Sequence, residues 1–240
     1  MEQNRVMRRF ATFAVILGLL LSLTGATRRA DANSSPQLLP GILKKMEAAH
    51  ANLKSLRAGI VQEKHNVQID VSDTDYGTLI YKPGAPGQSR LRIDYTKPDT
   101  RVAAMVGDNF IFYQPRISQA IKSTISKAAK GRTGGYAMLA GLLGSIKMLK
   151  DKYNIEYAGE AVINGQPTYQ LHLVPKGKDD YASVEIWVNN STSLLVQQKL
   201  VERNGDYMLV KLTNLEQNIK LPDDAFVVKY PKDTKIVDKF

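Results

Sequence analysis

From Tyr76 to Pro115 the chain reads as four strand-like pieces separated only by turns, with almost no helical signal between them. Tyr76–Tyr81 alternates small or polar with apolar residues, and Lys82-Pro-Gly-Ala-Pro-Gly87 supplies a turn, because proline fixes φ and glycine reaches positive φ. Arg90–Tyr95 alternates at every position, with Leu91, Ile93 and Tyr95 on one face and Arg90, Arg92 and Asp94 on the other. After Thr96-Lys-Pro-Asp99 come Arg101–Val106, a tight turn at Gly107-Asp-Asn109, and Phe110–Tyr113. The pattern predicts an antiparallel meander. Its apolar face suits either a solid core or the wall of a lipid pocket, and alternation alone does not choose between them.

The remaining segments extend this β-rich reading. Leu39, Ile42, Leu43, Met46, Ala49, Leu53 and Leu56 recur at three- and four-residue intervals between Gln37 and Arg57, which predicts an amphipathic helix. Ala58–Glu63, followed by Val67, Ile69 and Val71 on one face, reads as strand, closing at Ser72-Asp-Thr-Asp75. Beyond Pro115, alternation of Ile117, Gln119 and Ile121 predicts another strand. Between Lys127 and Asp151 the period changes: Tyr136, Leu139, Ala140, Leu143, Ile146 and Leu149 mark one helical face, and Met138, Leu142 and Met148 widen it. So broadly apolar a helix, carrying Gly141 and Gly144, is either packed closely on a sheet or turned toward an apolar cavity. Tyr153–Tyr157, Glu160–Gly165, Pro167–Pro175, Ser183–Val188, Leu195–Arg203, Tyr207–Leu215 and Ala225–Tyr230 complete the strand set, with Asn164-Gly165 and Asn204-Gly205 as hairpin turns. About eleven strands and two substantial helices predict a mainly β fold, a strongly curved antiparallel sheet or unclosed barrel.

The first 32 residues have the layout of an export signal: Arg5, Arg8 and Arg9, an apolar run from Phe10 to Leu23, then Ala30-Asp-Ala32 as a cleavage site, with an earlier cut after Ala26 as the alternative. The run is about 14 residues, short of the roughly 20 a membrane-spanning helix needs. The expected organisation is therefore a signal peptide at 1–32 and one domain at 33–240. Cleavage removes five arginines and two acids, a net loss of three, so a charge of +10 becomes +7. The remaining cations are dispersed, and export argues against a nucleic-acid partner. With no cysteine in the chain, disulfides, thiolate metal sites, a cysteine nucleophile and an acylated N-terminal cysteine are all excluded.

The ordered set Gly77-Thr-Leu, a proline-containing turn, Leu91-Arg-Ile-Asp-Tyr-Thr-Lys-Pro-Asp99, a strand, then Gly107-Asp-Asn-Phe-Ile-Phe-Tyr-Gln-Pro115 resembles the periplasmic outer-membrane lipoprotein carrier family, LolA. Leu53-Lys-Ser-Leu-Arg-Ala58, Ile186-Trp-Val188 and Leu221-Pro-Asp-Asp-Ala-Phe226 extend the similarity over nearly all of residues 33–240. The resemblance implies an unclosed β-barrel covered by helices and enclosing a hydrophobic cavity. It further implies a monomeric periplasmic carrier, in transient contact with membranes, that takes acylated lipoproteins from an inner-membrane ABC transporter to an outer-membrane acceptor. Ile80, Leu91, Ile93, Tyr95, Phe110, Phe112, Ile121, Met138, Leu142 and Trp187 are the expected cavity lining. Family members usually carry Arg-Pro soon after the second strand, where the arginine holds the lid shut. Here that place reads Tyr81-Lys-Pro-Gly-Ala-Pro-Gly-Gln-Ser-Arg90, so Lys82 and Arg90 are the candidates for that role.

Catalytic chemistry finds little support. His50, His65 and His172 lack any H-x-x-x-H spacing, no G-x-S-x-G elbow or Walker loop occurs, and Asp179-Asp180 and Asp223-Asp224 sit in predicted turns. No enzyme, metal or cofactor is expected. Two other readings stay open: a lipid or envelope-stress sensor built on a related sheet, and a carrier of another lipid or glycolipid.

Overall fold

The computed structural model describes residues 35–85, 88–128, 134–179 and 181–238. The expected signal segment lies outside the described residues, as do parts of the 82–87 and 131–135 loops.

After helix α1 (Ser35–Asn52), six strands follow in order: β1 (Leu56–Asn66), β2 (Val71–Lys82), β3 (Arg90–Lys97), β4 (Arg101–Val106), β5 (Asn109–Gln114) and β6 (Gln119–Thr124). Helices α2 (Ile125–Ala128), α3 (Gly134–Gly144) and α4 (Ile146–Lys152) lead into β7 (Tyr153–Ile163), β8 (Gln166–Pro175), β9 (Tyr181–Asn189), β10 (Leu195–Glu202) and β11 (Tyr207–Gln217), and β12 (Lys235–Val237) ends the set. All twelve strands form one unclosed sheet in the order β12-β6-β5-β4-β3-β2-β1-β11-β10-β9-β8-β7. Every neighbouring pair is antiparallel except β12 on β6.

The pairing of β1 with β11, from Leu56 opposite Gln217 to His65 opposite Tyr207, joins the two runs of hairpins into one surface. It also leaves β6 and β7, consecutive in sequence, near opposite margins of the sheet. The residues between them must therefore cross one face, and the crossover is α2–α4. Its side chains Tyr136, Leu139, Leu142, Leu143, Ile146 and Leu149 are buried in one core with Leu56, Leu79, Tyr81, Ile93 and Phe110 from the first half of the sheet and Leu171, Ile186, Leu200 and Val210 from the second. These strand residues define the inner face.

The outer face has its own smaller cluster. Val102, Tyr113 and Ala120 are buried beneath Val228 and Tyr230 of the C-terminal segment. Arg92 donates from its terminal nitrogen to the carbonyl oxygens of Ala225 (3.2 Å) and Val227 (2.8 Å) while its guanidinium also pairs with Asp94. Periodicity alone predicts a strand over 225–230. The segment instead makes a 3-10 turn at Asp223–Phe226 and then runs across the outer face, because Arg92 takes carbonyls that a ladder would need. The last strand is β12, three residues long.

The first helix ends at Asn52, so that Leu56 and Arg57 open β1, and Ile117 lies in a 3-10 turn ahead of β6; other expectations change as well. Val67 and Ile69 alternate like strand residues but sit in the β1–β2 turn, where the Asn66 side-chain oxygen accepts from the backbone N–H of Gln68 and Ile69, and Asp206 accepts from that of Val67. Local carboxamide bonding of this kind competes with the ladder and wins where no core contact opposes it; both side chains are exposed. The two strands expected between Tyr153 and Gly165 are one, with a bulge between Tyr157 and Gly159, where Gly159 has φ 128°. The helix expected from Tyr136 to Leu149 breaks at Ser145, whose extended backbone and side-chain oxygen cap α4 by accepting from the Met148 N–H. Glycine and serine together are weak in a helix interior, and serine is a strong N-cap.

Leu79 lies at the centre of the inner face with no exposed surface. Leu79→Ala is expected to cost about 2–5 kcal/mol, measured as a lowered urea midpoint with an unchanged m-value.

Candidate functional site

The inner face meets the crossover helices in two unlike regions. At the end where β1 and β2 approach their hairpin, the inner side chains turn polar. The Tyr95 hydroxyl donates to Gln62 Oε1 at 2.8 Å, Arg101 pairs with Asp75, and the Arg101 guanidinium lies 5.3 Å from the Tyr95 ring centroid. Tyr136 of α3 closes this group, 6.5 Å from Tyr95 and 5.7 Å from Phe110 between ring centroids. Burial pushes the Tyr95 hydroxyl well above its ordinary range and the Tyr136 hydroxyl up as well, so both remain protonated donors.

At the other end the interior stays open. A cavity of about 630 Å³ is bounded by Leu91 and Met105 of the sheet, Ile125 of α2, and Ala140, Gly141, Gly144 and Met148 of α3–α4, with Ser89, Ser145, Lys147 and Asp151 also on its wall. That volume falls within the range of roughly 300–1,000 Å³ typical of small-molecule pockets. Glycine decides this wall: a Cβ on Gly141 would meet nothing nearer than the Met148 methyl at 3.9 Å, so the space beside it is open. Gly135, at the start of α3, has the opposite surroundings, since a Cβ there would have to displace the methyl end of the flexible Met208 side chain.

Among the expected lining residues, Leu91, Ile93, Tyr95, Phe110 and Leu142 are buried in the inner core, with Met138 and Phe112 packed against it; Leu91 also borders the cavity. Ile121 shares the inner face through its pairing with Phe112 but is only partly buried at the margin. Two residues face the other way. Ile80 is paired with Arg57 and Arg92, on the outer face, because Leu79 and Tyr81 take the inward positions. Trp187 lies between Gln170 and Gln197, outside the inner core, because Ile186 and Val188 point inward. Both errors come from strand phase, since one residue of offset exchanges the two faces.

Lys82 and Arg90 also lie on the outer side. Both grip one Asp223 oxygen, at 2.9 and 2.5 Å, and their hydrogen bonds hold that exposed carboxyl below its usual range. They anchor the C-terminal turn on the outer face. The cation facing α3 is Arg101, which sequence reasoning passes over because an arginine opening a strand ordinarily faces solvent. Met105 is hidden for another reason: Val102, Ala103, Ala104 and Met105 are all buried, so β4 shows no alternation.

Against this geometry stand the comparisons with known proteins. Residues 51–229 match the family model of the outer membrane lipoprotein carrier protein LolA. The chain belongs to the LolA family. The fold of this LolA-family chain is similar to that of an uncharacterized conserved protein from Thermus thermophilus, with a TM-score of 0.54 at 13% identity over 85% of this chain and 100% of that one. It is also similar to a DUF1329 family protein from Desulfovibrio piger, with a TM-score of 0.50 at 15% identity, covering 80% and 96%. In sequence it is 23% identical over 229 residues to the uncharacterized protein MJ0687 of Methanocaldococcus jannaschii, covering 93% of this chain and 58% of the relative. The chain thus spans little more than half the length of that relative.

The buried Asp75–Arg101 pair yields one expectation. Arg101→Met leaves the Asp75 carboxylate in the interior without its counter-ion. Breaking a buried pair in this way costs about 3–5 kcal/mol, and because Arg101 keeps 21% of its side-chain surface the loss should lie near the lower figure, read from denaturant melts. A second concerns His50, whose Nδ1 has no hydrogen-bond partner and whose pKa burial pulls below 6.5. The folded chain resists a proton that the unfolded chain accepts, so this group lowers stability as pH falls through 6.5 and has no effect above it. The fall from about pH 7 to 5 should shrink in His50→Gln, measured by thermal melts in matched buffers.

Proposed function

We propose that this LolA-family protein is an exported, non-catalytic carrier that shelters the acyl chains of lipoproteins between the inner and outer membranes. The supporting observation is the way the interior is filled. The sheet walls it with apolar side chains, but the filling is the α3–α4 crossover, and that crossover leaves a cavity on its glycine face. A helix that can be displaced as a unit offers a hollow that closes on itself when empty.

The energetics fit such a role. At about 0.8 kcal/mol for each CH₂ removed from water, an anchor with two or three acyl chains does not cross an aqueous compartment unaided. An apolar interior sheathed by residues such as Leu91, Met105, Leu142 and Met148 replaces that water. Residues 1–32, read as a signal peptide, would deliver the mature domain to the periplasm. The partners of the proposed cycle are an acylated lipoprotein, an inner-membrane ABC transporter that supplies it and an outer-membrane acceptor that receives it.

Lipid extraction of protein purified from cell envelopes, followed by mass spectrometry, tests the reading. Acyl-bearing molecules are expected in near-stoichiometric amount, and repeated recovery of lipid-free protein under mild conditions would overturn it. Gly141→Leu should fill the cavity without breaking α3, since its side chain projects into open space and leucine is the better helix former. Retention of acyl-bearing lipid should fall at least about ten-fold, the consequence of losing roughly 1.4 kcal/mol of binding, with the melting temperature maintained.

A further inference from the structure

An inner-face row crosses the sheet at Asp75, Gln62, Val210, Gln198, Ile186 and Leu171, fixed by the pairings of β2, β1, β11, β10, β9 and β8. Each of the six is buried, and Gln198 has no exposed surface at all. Its neighbours on either side are Val210 and Ile186. Neither Oε1 nor Nε2 of Gln198 has a hydrogen-bond partner. By contrast, Gln62 two strands away has its oxygen engaged by the Tyr95 hydroxyl.

A buried amide with no partner costs roughly 1–3 kcal/mol, and an aliphatic side chain of similar shape would avoid that cost. Helix α3, which packs against β10, cannot supply the partner. Its hydrogen-bonding side chains are Tyr136, which is engaged with Tyr95, and Met138, whose sulfur accepts from the Tyr153 hydroxyl at 3.6 Å, and its mid-helix backbone groups bond within the helix. The amide is therefore suited to a group that enters when α3 yields its place. That group must be neutral and flanked by hydrocarbon: the row offers no free cation, because Arg101 is committed to Asp75, and both nearest neighbours of Gln198 are aliphatic.

We infer that Gln198 is a cargo-binding residue that donates through Nε2 to the carbonyl of an ester- or amide-linked acyl chain. This rests on the carrier reading and sharpens it, since it makes the protein select acylated molecules over plain hydrocarbon chains. No bond is made or broken; the amide exchanges an unmet hydrogen bond for one to the linkage carbonyl.

Two lipids with equal chain lengths separate the effects. Dipalmitoylglycerol carries ester carbonyls, and dihexadecylglycerol replaces them with ether oxygens, which are poorer acceptors. Competition of each against the fluorescent probe N-phenylnaphthylamine, with the full domain in dilute detergent, gives their relative affinities. The wild-type protein is expected to favour the diester by about ten-fold, the scale of one buried hydrogen bond. Gln198→Leu should abolish the preference by weakening diester binding while leaving diether binding within about two-fold, and should raise the melting temperature by removing the unpaired amide. Gln198→Met, closer in shape, serves the same comparison if the leucine variant does not fold. Equal binding of both lipids by the wild type, or an undiminished preference in the variant, overturns the assignment and leaves the carrier reading standing. Failure of the wild type to bind either lipid overturns the carrier reading itself, and the role of Gln198 with it.

Discussion

The ladder between β1 and β11 is the constraint from which the architecture follows. It brings together segments about 150 residues apart, from Leu56 opposite Gln217 onward, and fuses two hairpin arrays that could otherwise be separate sheets. Once they are fused, β6 and β7 stand near opposite margins, and the chain connecting them has to cross the inner face. The apolar helix in the middle of the molecule is thus a topological necessity as well as a packing choice. A route around the outer face is closed by the C-terminal segment, which Arg92 and the Lys82–Asp223–Arg90 contacts hold over β3–β5.

The crossover accounts for the unusual mixture of order and looseness in the interior. Large side chains such as Tyr136 and Leu139 pack like an ordinary core, whereas Gly141 and Gly144 leave part of the wall bare. Polar groups are placed with the same asymmetry. At one end Tyr95 donates to Gln62 and Arg101 pairs with Asp75, with only the Arg101 Nε of that group unpartnered, while both amide atoms of Gln198 lack a partner in the middle of the inner face. A core selected only for stability would tend to replace such an amide by a hydrocarbon of the same shape, because the isolated amide gains nothing from burial. Its presence beside a helix that fills a hollow is the physical link between the fold and the proposed cargo.

Much of the molecule was legible before any coordinates. Arg90–Tyr95 and the Asn164-Gly165 hairpin announce themselves because their signals are local: strict two-residue alternation, and a pair of residues that tolerate positive φ, here 51° and 74°. The family resemblance, drawn from an ordered series of such local signals, agrees with the family match over residues 51–229. Signals failed where a local rule met a distant partner. β12 is too short to have a period and exists only because Lys235–Val237 meets Gln119–Ile121. Ile80 and Trp187 are apolar residues on strands whose buried phase is set by neighbours elsewhere in the chain. β4 concealed its inward residues because the C-terminal segment buries its outer side as well.

By itself, then, the amino-acid sequence determined a curved antiparallel sheet and two apolar helical stripes, since periodicity and turn chemistry act over a few residues and need no knowledge of the rest of the chain. Tertiary structure alone decided which face became the inside, that Arg101 and not Lys82 or Arg90 faces the covering helix, and that one glutamine amide is enclosed without a partner. Those outcomes depend on register across strands distant in sequence. A shift of one residue in any ladder would have turned the same side chains outward.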